Sequence, residues 1–333
     1  MYAKWTRDPS DNDTSLVDPN VLDGPKGQIL DINDYLKPGG GGGGGGGGDG
    51  GAGFPNVSAS AFVADQSSLD FRKNGFQVSD TAQNVSGVID ALNNDSSAIA
   101  ITLTDGGVPT LSLKALQAVD TAALSKITNS HYAVAISDTA ANVSANLDAL
   151  NADRNLDAIT LTDGGVPSLN LSAAQALVDT TALSKIANIN FSIAISDTAA
   201  DVSAAIDALE TNSSVSSITL IDGGTPTLDL HVSQALNDTS ALVKISNVAY
   251  AVQIDDTASS VLGDAAALSA DAKIAGITVI DTATNIITNA TALAANSQVT
   301  SLVVEDTIAN ITANAAMLSA NPQIKSIIAI DTA

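Results

Sequence analysis

The residues in this sequence with the clearest capacity for chemistry are aspartates that recur at fixed spacing. Ser-Asp-Thr-Ala occurs three times and Asp-Asp-Thr-Ala once, and the Asp-Thr pair then returns every 25 residues. A carboxylate at such a position can accept hydrogen bonds from the free N–H groups at the start of a helix, or it can bind Ca²⁺, which prefers oxygen ligands. The candidates for both roles are Asp80, Asp138, Asp197, Asp256, Asp281 and Asp306.

Helix capping needs fewer oxygen atoms at each of these positions than Ca²⁺ binding does. Carboxylates stacked ~5 Å apart repel by roughly 1 kcal/mol in water and about 3 kcal/mol at an effective dielectric of ~20. Helix N-termini or cations must offset that repulsion. One Asp and one Thr per unit supply few of the roughly six to eight oxygens that Ca²⁺ takes. We therefore expect capping and no cofactor, with Ca²⁺ binding as the alternative.

A strand and a helix must position each aspartate. Around Asp138, alternating apolar residues predict a short strand before it, and Val143, Leu147 and Leu150 at i, i+4 and i+7 predict a helix after it, with Asp138 as the N-cap. Strand–helix–strand connections imply parallel strands. We predict an α/β solenoid of 25-residue strand–helix units with a parallel sheet. The corresponding apolar residues of other units are Val202, Ile206, Leu209, Val215, Ile218, Leu220, Ile286, Leu293, Ile311 and Leu318.

Alternate early units carry an insert of 8 or 9 residues that contains Asp-Gly-Gly-x-Pro. The Asp-Gly-Gly turn indicates a hairpin, in which Ile101 and Leu103 pair with Leu111 and Leu113. An ordered loop is the alternative. Proline confines the return strand to a sheet edge, because it lacks an N–H group. The Asp-Gly-Gly-x-Pro motifs begin at Asp105, Asp163 and Asp222, each 25 residues after an Asp-Thr-Ala aspartate, and the prolines of the inserts are Pro109, Pro167 and Pro226.

The chain divides into four regions by composition. Residues 1–38 are polar and punctuated by Pro and Asp, and we predict a poorly ordered segment there. Residues 39–53 begin with ten consecutive glycines, which predict a flexible linker because glycine loses the most backbone entropy on ordering. Residues 54–75 form a lead-in or capping segment, and residues 76–333 form the repeats.

Charge and composition exclude several function classes. The formal net charge is -23, from 13 Lys and Arg against 36 Asp and Glu, which argues against nucleic acid and anionic membranes as partners. There is no cysteine, so disulfides, thiolate metal sites and thiol catalysis are excluded. The sequence contains no signal-peptide core and no apolar stretch of the ~18–20 residues that span a bilayer, so membrane insertion is not expected.

No catalytic motif is recognisable, and we expect the chain not to be an enzyme. His131 and His231 occupy non-equivalent positions in their units, which is typical of surface residues. The recurrent carboxylates follow the repeat period, as structural residues do. Paired threonines, Thr102/Thr104 and Thr160/Thr162, are typical of ice-binding solenoids but occur in only two strands.

The segments ISDTAANVSANLDALNAD and ITLTDGGVPSLNLSAAQAL resemble repeat tracts of very large secreted bacterial proteins. Such proteins are often exported by type I secretion and carry adhesin-like or calcium-binding repeat modules. The resemblance covers roughly residues 76–333 and implies an extracellular or cell-surface location with a structural or adhesive role. The glycine-aspartate nonapeptides that bind Ca²⁺ in such proteins are missing here.

These observations together predict a secreted structural or adhesive repeat protein that provides an extended surface. The alternatives are a ligand- or Ca²⁺-binding repeat module and a fragment of a larger surface protein. Residues 327–333 match the strand and cap of a further unit, which predicts an unpaired strand edge. The expected partners are other copies of the chain bound at this C-terminal edge, in filaments, and cell-surface material.

Overall fold

The computed structural model describes residues 54–69 and 74–330. The predicted N-terminal segment and glycine linker lie outside the described residues, as does Asp331. The described chain is α/β and consists of short strands alternating with short helices. None of its described helices is long and apolar enough to cross a bilayer.

The strands have the following bounds: β1 (Asn56–Val57), β2 (Phe76–Asp80), β3 (Ala98–Leu103), β4 (Thr110–Leu113), β5 (Ala133–Asp138), β6 (Leu156–Leu161), β7 (Ser168–Leu171), β8 (Ser192–Asp197), β9 (Val215–Leu220), β10 (Thr227–Leu230), β11 (Ala251–Asp256), β12 (Ile274–Asp281), β13 (Val299–Asp306) and β14 (Ile324–Ala329). The helices span Ala59–Leu69, Ala82–Gly87, Ile89–Asn93, Ala115–Val119, Thr121–Leu124, Ala140–Ala145, Leu147–Ala152, Ala173–Val178, Thr180–Ser184, Ala199–Thr211, Val232–Asn237, Thr239–Leu242, Ala258–Gly263, Ala265–Ala270, Ala283–Ala295, Ile308–Ala313 and Ala315–Ser319.

All named strand pairs are parallel, which confirms the prediction made from the strand–helix–strand pattern. The strands do not form one sheet, however. Within the described residues they form four, in the orders β1-β2-β3, β4-β5-β6, β7-β8-β9 and β10-β11-β12-β13-β14. Each break between sheets falls at an Asp-Gly-Gly insert.

The predicted hairpin across the insert is wrong. The edge of β3 that a hairpin needs is occupied by residues 126–129. The Ile101 N–H donates to the Lys126 carbonyl at 2.8 Å, and the Thr128 N–H donates to the Ile101 carbonyl at 2.8 Å. The Asn129 amide also bonds both backbone groups of Leu103. Strand β4 therefore pairs with β5 instead, and lies at the edge of its sheet.

The outer edge of each insert strand lies against the helix of the preceding unit. The Ser112 N–H donates to the Ser86 hydroxyl at 3.0 Å, and the Asn170 N–H donates to the Ser144 hydroxyl at 3.1 Å. A third contact of this kind joins Asp229 to Ser203 in the next insert. These serines satisfy edge N–H groups that would otherwise lack a partner in the fold. The insert thus starts a new sheet beside a helix.

The predicted apolar positions lie in the core, except Ile311, which is only partly buried and packs against it. Val143, Leu147 and Leu150 are fully buried, as are their counterparts in the next pair of units. The helix predicted after Asp138 is divided in two, because Asn146 has non-helical dihedrals (φ -119°, ψ 11°) and its N–H bonds the carbonyl three residues back, at Val143. Ala199–Thr211 and Ala283–Ala295 are unbroken. One continuous hydrophobic cluster extends from the first described helix to the last.

Candidate functional site

The carboxylate of Asp138 joins two successive units. Its Oδ1 accepts the Thr139 N–H and the Asn142 side-chain amide, both at 2.8 Å. Its Oδ2 accepts the N–H of Ala115 at 3.0 Å. Ala115 is the first residue of helix Ala115–Val119 in the preceding unit, so one carboxylate binds the start of its own helix and the start of the helix before it.

The predicted N-cap position is wrong by one residue. Asp138 is the last residue of β5, and the N-cap is Thr139, whose hydroxyl accepts the Asn142 N–H at 3.3 Å. The strand reaches the aspartate, so its carboxylate lies where it can contact the neighbouring unit. The same offset recurs at Asp80 and Asp197, where the caps are Thr81 and Thr198. Asp256, Asp281 and Asp306 precede Thr257, Thr282 and Thr307 in the same way.

We call the full set of such residues the aspartate column. Every member accepts the first N–H of the helix in the preceding unit through Oδ2, at 2.6–3.1 Å. The column therefore supplies one charged hydrogen bond at each junction between units. Its members are Asp80, Asp105, Asp138, Asp163, Asp197, Asp222, Asp256, Asp281 and Asp306, and their donors are Ala59, Ala82, Ala115, Ala140, Ala173, Ala199, Val232, Ala258 and Ala283.

Three members of the column were not among the predicted site residues. Asp105, Asp163 and Asp222 belong to the Asp-Gly-Gly motif, which indicated only a turn. The structure places each of them at 2.6 Å from a helix N–H. Their position exactly one 25-residue period after an Asp-Thr-Ala aspartate was the signal that could have identified them.

The hydrogen bonds stabilise the ionised carboxylates. Donation by the Asn84 amide, followed by the Thr81 N–H, lowers the pKa of Asp80 below its ordinary value. Burial raises the pKa of Asp138, but the bonds from Asn142, Thr139 and Ala115 outweigh it and lower that pKa overall. A carboxylate that accepts several N–H bonds is preferentially ionised, so these bonds favour the negative charge on Asp80 and Asp138.

Calcium was the alternative role for the six predicted aspartates. Across residues 54–69 and 74–330, no three or more His, Cys, Asp or Glu side chains converge in a way that could hold a metal ion. Each of the six already accepts N–H bonds from two successive units. Helix capping accounts for their arrangement, and Ca²⁺ binding stays a prediction for titration.

The two histidines differ in their surroundings. His231 precedes helix Val232–Asn237, and its Nδ1 lies 2.8 Å from the Asp255 carbonyl oxygen. A carbonyl oxygen only accepts hydrogen bonds, so Nδ1 carries the proton in this contact. Lys114 donates to the Ser137 carbonyl from the same place in an earlier unit, whereas Ser172 stands at this place in the unit between them and caps its helix. His131 is exposed and lies beside the Ser130 hydroxyl.

The strands present hydroxyl groups to solvent on the side away from the core. Thr102, Thr160 and Thr219 are exposed at equivalent places in three strands. The Thr102 hydroxyl lies 2.9 Å from that of Thr128, and the Thr219 hydroxyl lies 2.9 Å from that of Ser246. The outer surface of these strands therefore presents hydroxyl groups at a repeated position. No protein-family model, curated protein or solved structure matches the chain.

Proposed function

We propose that this chain is a structural or adhesive repeat protein, secreted or held at a cell surface, that provides an extended surface. The observation that carries the proposal is the aspartate column. The residues that recur most strictly in the sequence bond successive units to each other, and thus serve assembly of the array rather than a reaction. An enzyme would require polar residues that depart from the repeat and converge on one place.

We infer that the units stack as a solenoid. The hydrogen bonds of each column carboxylate stay within its own unit and the preceding one, and ten parallel pairings join the strands in chain order. Where a sheet ends, an isolated parallel pairing such as Ile101 with Ile127 continues to the next unit. Such nearest-neighbour contacts are typical of repeat arrays. Ten steps of ~4.8 Å give an axis ~50 Å long.

The surface chemistry supports a structural or adhesive role outside the cell. The net charge of -23 keeps copies apart except where specific contacts form, and exposed hydroxyls can bind polar surface material. The resemblance of the repeats to tracts of secreted bacterial proteins points the same way. The competing proposal is a Ca²⁺-binding repeat module, which requires the melting temperature to rise when Ca²⁺ is added.

We further propose that β14 pairs with a second copy of the chain. Its one partner among the described strands is β13, so its other edge offers free backbone groups. Ile327 and Ile328 are each 47 % exposed beside that edge. The matching surface is the free edge of β1, which among the described strands pairs with β2 alone. Head-to-tail pairing of this kind extends into filaments unless the rotation closes.

Light scattering over a concentration series tests the proposal. We expect the average mass of the wild type to rise with concentration, and Ile328→Lys to suppress that rise because it puts a charge beside the pairing edge. Val108→Lys is the matched control, since Val108 is exposed in an insert far along the chain from β14. A wild type that stays monomeric throughout, or equal effects of the two lysines, would contradict the proposal.

A further inference from the structure

Two buried aspartates outside the column each face a second carboxyl group. Asp179 is 5 % exposed and lies between helices Ala173–Val178 and Thr180–Ser184. Its Oδ2 has no hydrogen-bond donor in the described part of the chain. Asp148 lies on helix Leu147–Ala152 of the preceding unit, which packs against helix Thr180–Ser184, and its carboxylate acts on that of Asp179. Asp238 repeats this arrangement with Asp207: it is 8 % exposed and its Oδ2 also lacks a donor among the described residues.

A one-residue difference between units explains the burial. In the first insert unit Asp120 stands six positions after Lys114, whereas in the second Asp179 stands seven positions after Ser172. Asp120 is exposed, has ψ 100°, and caps its helix by accepting the Ala122 N–H. Asp179 has ψ 39° and makes no such bond. The additional residue turns the carboxyl inward, and the same addition precedes Asp238.

The groups around Asp179 favour binding of one proton between the carboxyl groups of Asp179 and Asp148. The Gln175 amide donates to Asp148 Oδ1 at 2.9 Å and holds that carboxylate in place. Burial, followed by the contact with Asp148, raises the pKa of Asp179 to about 6. The pKa of Asp148 is lowered, first by Gln175 and then by Asp179. No basic side chain contributes to either shift; Lys185, which follows helix Thr180–Ser184, is not among the groups involved.

The second pair has a further acidic neighbour. Burial, the contact with Asp207 and then the charges of Asp207 and Glu210 raise the pKa of Asp238 to about 6. The Glu210 carboxylate accepts a hydrogen bond from the Ala241 N–H, and the charge of Lys244 attracts it. Asp207 and Glu210 both belong to helix Ala199–Thr211, which also packs on helix Ala173–Val178, but neither contributes to the shift at Asp179.

We propose that Asp148 with Asp179, and Asp207 with Asp238, are proton-binding sites that fasten adjoining units together on mild acidification. In the protonated pair the buried carboxyl donates its O–H to the carboxylate of the preceding unit, which forms a short charge-assisted bond. When the proton leaves, two carboxylates face each other without a donor between them, and the junction weakens.

The direction of the effect is opposite to that of most aspartates. A carboxyl whose pKa is raised in the folded state binds its proton more tightly there than in the unfolded chain. Its contribution is therefore complete below the unfolded pKa of ~4 and is lost as pH rises through about 6. For the buried carboxyl of each pair, a pKa about two units above the unfolded value corresponds to a decrease of at most about a hundredfold in the folding equilibrium constant between acid and pH 7.5. In the first pair the lowered pKa of Asp148 offsets part of that decrease.

The full chain tests this with Asp179→Asn and the control Asp120→Asn. The wild type should be less stable to urea at pH 7.5 than at pH 5. Asparagine supplies a neutral donor at every pH, so this decrease should be smaller in Asp179→Asn by the contribution of one pair. Asp120→Asn should leave that decrease unchanged, because Asp120 is exposed. The proposal is overturned if the wild type is equally stable at both pH values, or if both variants keep its pH dependence.

Carboxyl ¹³C NMR of the wild type, with labelled aspartate, tests the sites without a substitution. Two aspartates should titrate near pH 6, and one should disappear in Asp179→Asn. Titration of every aspartate below pH 5 would overturn the proposal. A stability increase caused by Ca²⁺ at pH 7.5 and abolished by Asp179→Asn would also overturn it, because the pair would then bind a cation in place of the proton.

Discussion

Asp138→Ala is the substitution that most directly tests the aspartate column. Asp138 is 5 % exposed, and its carboxylate accepts three hydrogen bonds from two units. Alanine keeps the β5 backbone in place but removes every acceptor. The Ala115 N–H is buried at this contact, so no solvent replaces the lost oxygen.

The magnitude follows from what each donor loses. A buried N–H without a partner costs about 1–3 kcal/mol. The Thr139 N–H and the Asn142 amide are closer to solvent, and their loss adds about 0.5 kcal/mol each. We expect Asp138→Ala to lower the free energy of unfolding by about 2–4 kcal/mol. Asp138→Asn should lower it by less, because one acceptor oxygen is kept while the NH₂ group faces other donors.

Urea denaturation followed by circular dichroism measures the change, with Asp157→Ala as the control. Asp157 lies exposed on β6 and should change stability by no more than ~0.5 kcal/mol. Hydrogen exchange by NMR gives a local measurement: the Ala115 amide should exchange faster in Asp138→Ala only. If Asp138→Ala and Asp157→Ala unfold alike and Ala115 stays protected, the column does not hold the units together.

Three further outcomes are expected. Gly165→Ala should destabilise the fold by about 1–2 kcal/mol, because Gly165 has φ +77°, which a residue with a Cβ adopts only under strain. Gly164→Ala should change thermal stability little, because an added Cβ there meets nothing. Equal effects of the two substitutions would contradict this. Ser144→Ala should lower the free energy of unfolding by about 1 kcal/mol, and by more than Ser86→Ala does. Both serines accept an N–H of an insert strand, but Ser144 is the more buried of the two, and calorimetry can compare the two variants. The stability of the fold should decrease below pH ~4. The folded pKa of column members such as Asp80 is lowered, and their contribution to stability is lost as pH falls through that pKa. A constant urea midpoint from pH 5 to pH 2.5 would contradict this.

Local periodicity was enough to predict the elements but not their exact junctions. The stripe of Val143, Leu147 and Leu150 predicted a helix and a buried face, and the structure has both, with a break at Asn146. The N-cap was misplaced because Asp and Thr are both good caps and stand side by side. Only the contact with Ala115, which is distant in sequence, decides which of them faces the neighbouring unit.

The insert shows why a local turn signal can mislead. An Asp-Gly-Gly turn favours a hairpin when no other strand competes for the same edge. Here residues 126–129 occupy that edge of β3. A signal for the true arrangement exists in the sequence: serine stands six residues after the aspartate only where an insert follows, at Ser86, Ser144 and Ser203. The later units without an insert have Leu262, Ile287 and Thr312 there.

The paired carboxyls were beyond prediction from periodicity alone. The spacing of 59 rather than 58 residues between successive Asp-Thr-Ala motifs records the additional residue before Asp179. Whether one residue turns a side chain inward depends on backbone dihedrals and on what lies opposite. Asp148 stands 31 positions earlier, so only the packed structure brings the two carboxyls together.

Electron microscopy of the purified chain over a concentration series tests the proposed structural role most directly. Head-to-tail stacking through β14 predicts unbranched filaments at high concentration, with an axial repeat of ~53 Å from ten strand spacings within each copy and one between copies. Ile328→Lys should yield short, single particles under the same conditions. Compact, dispersed particles of the wild type at every concentration would contradict an extended, self-assembling repeat protein.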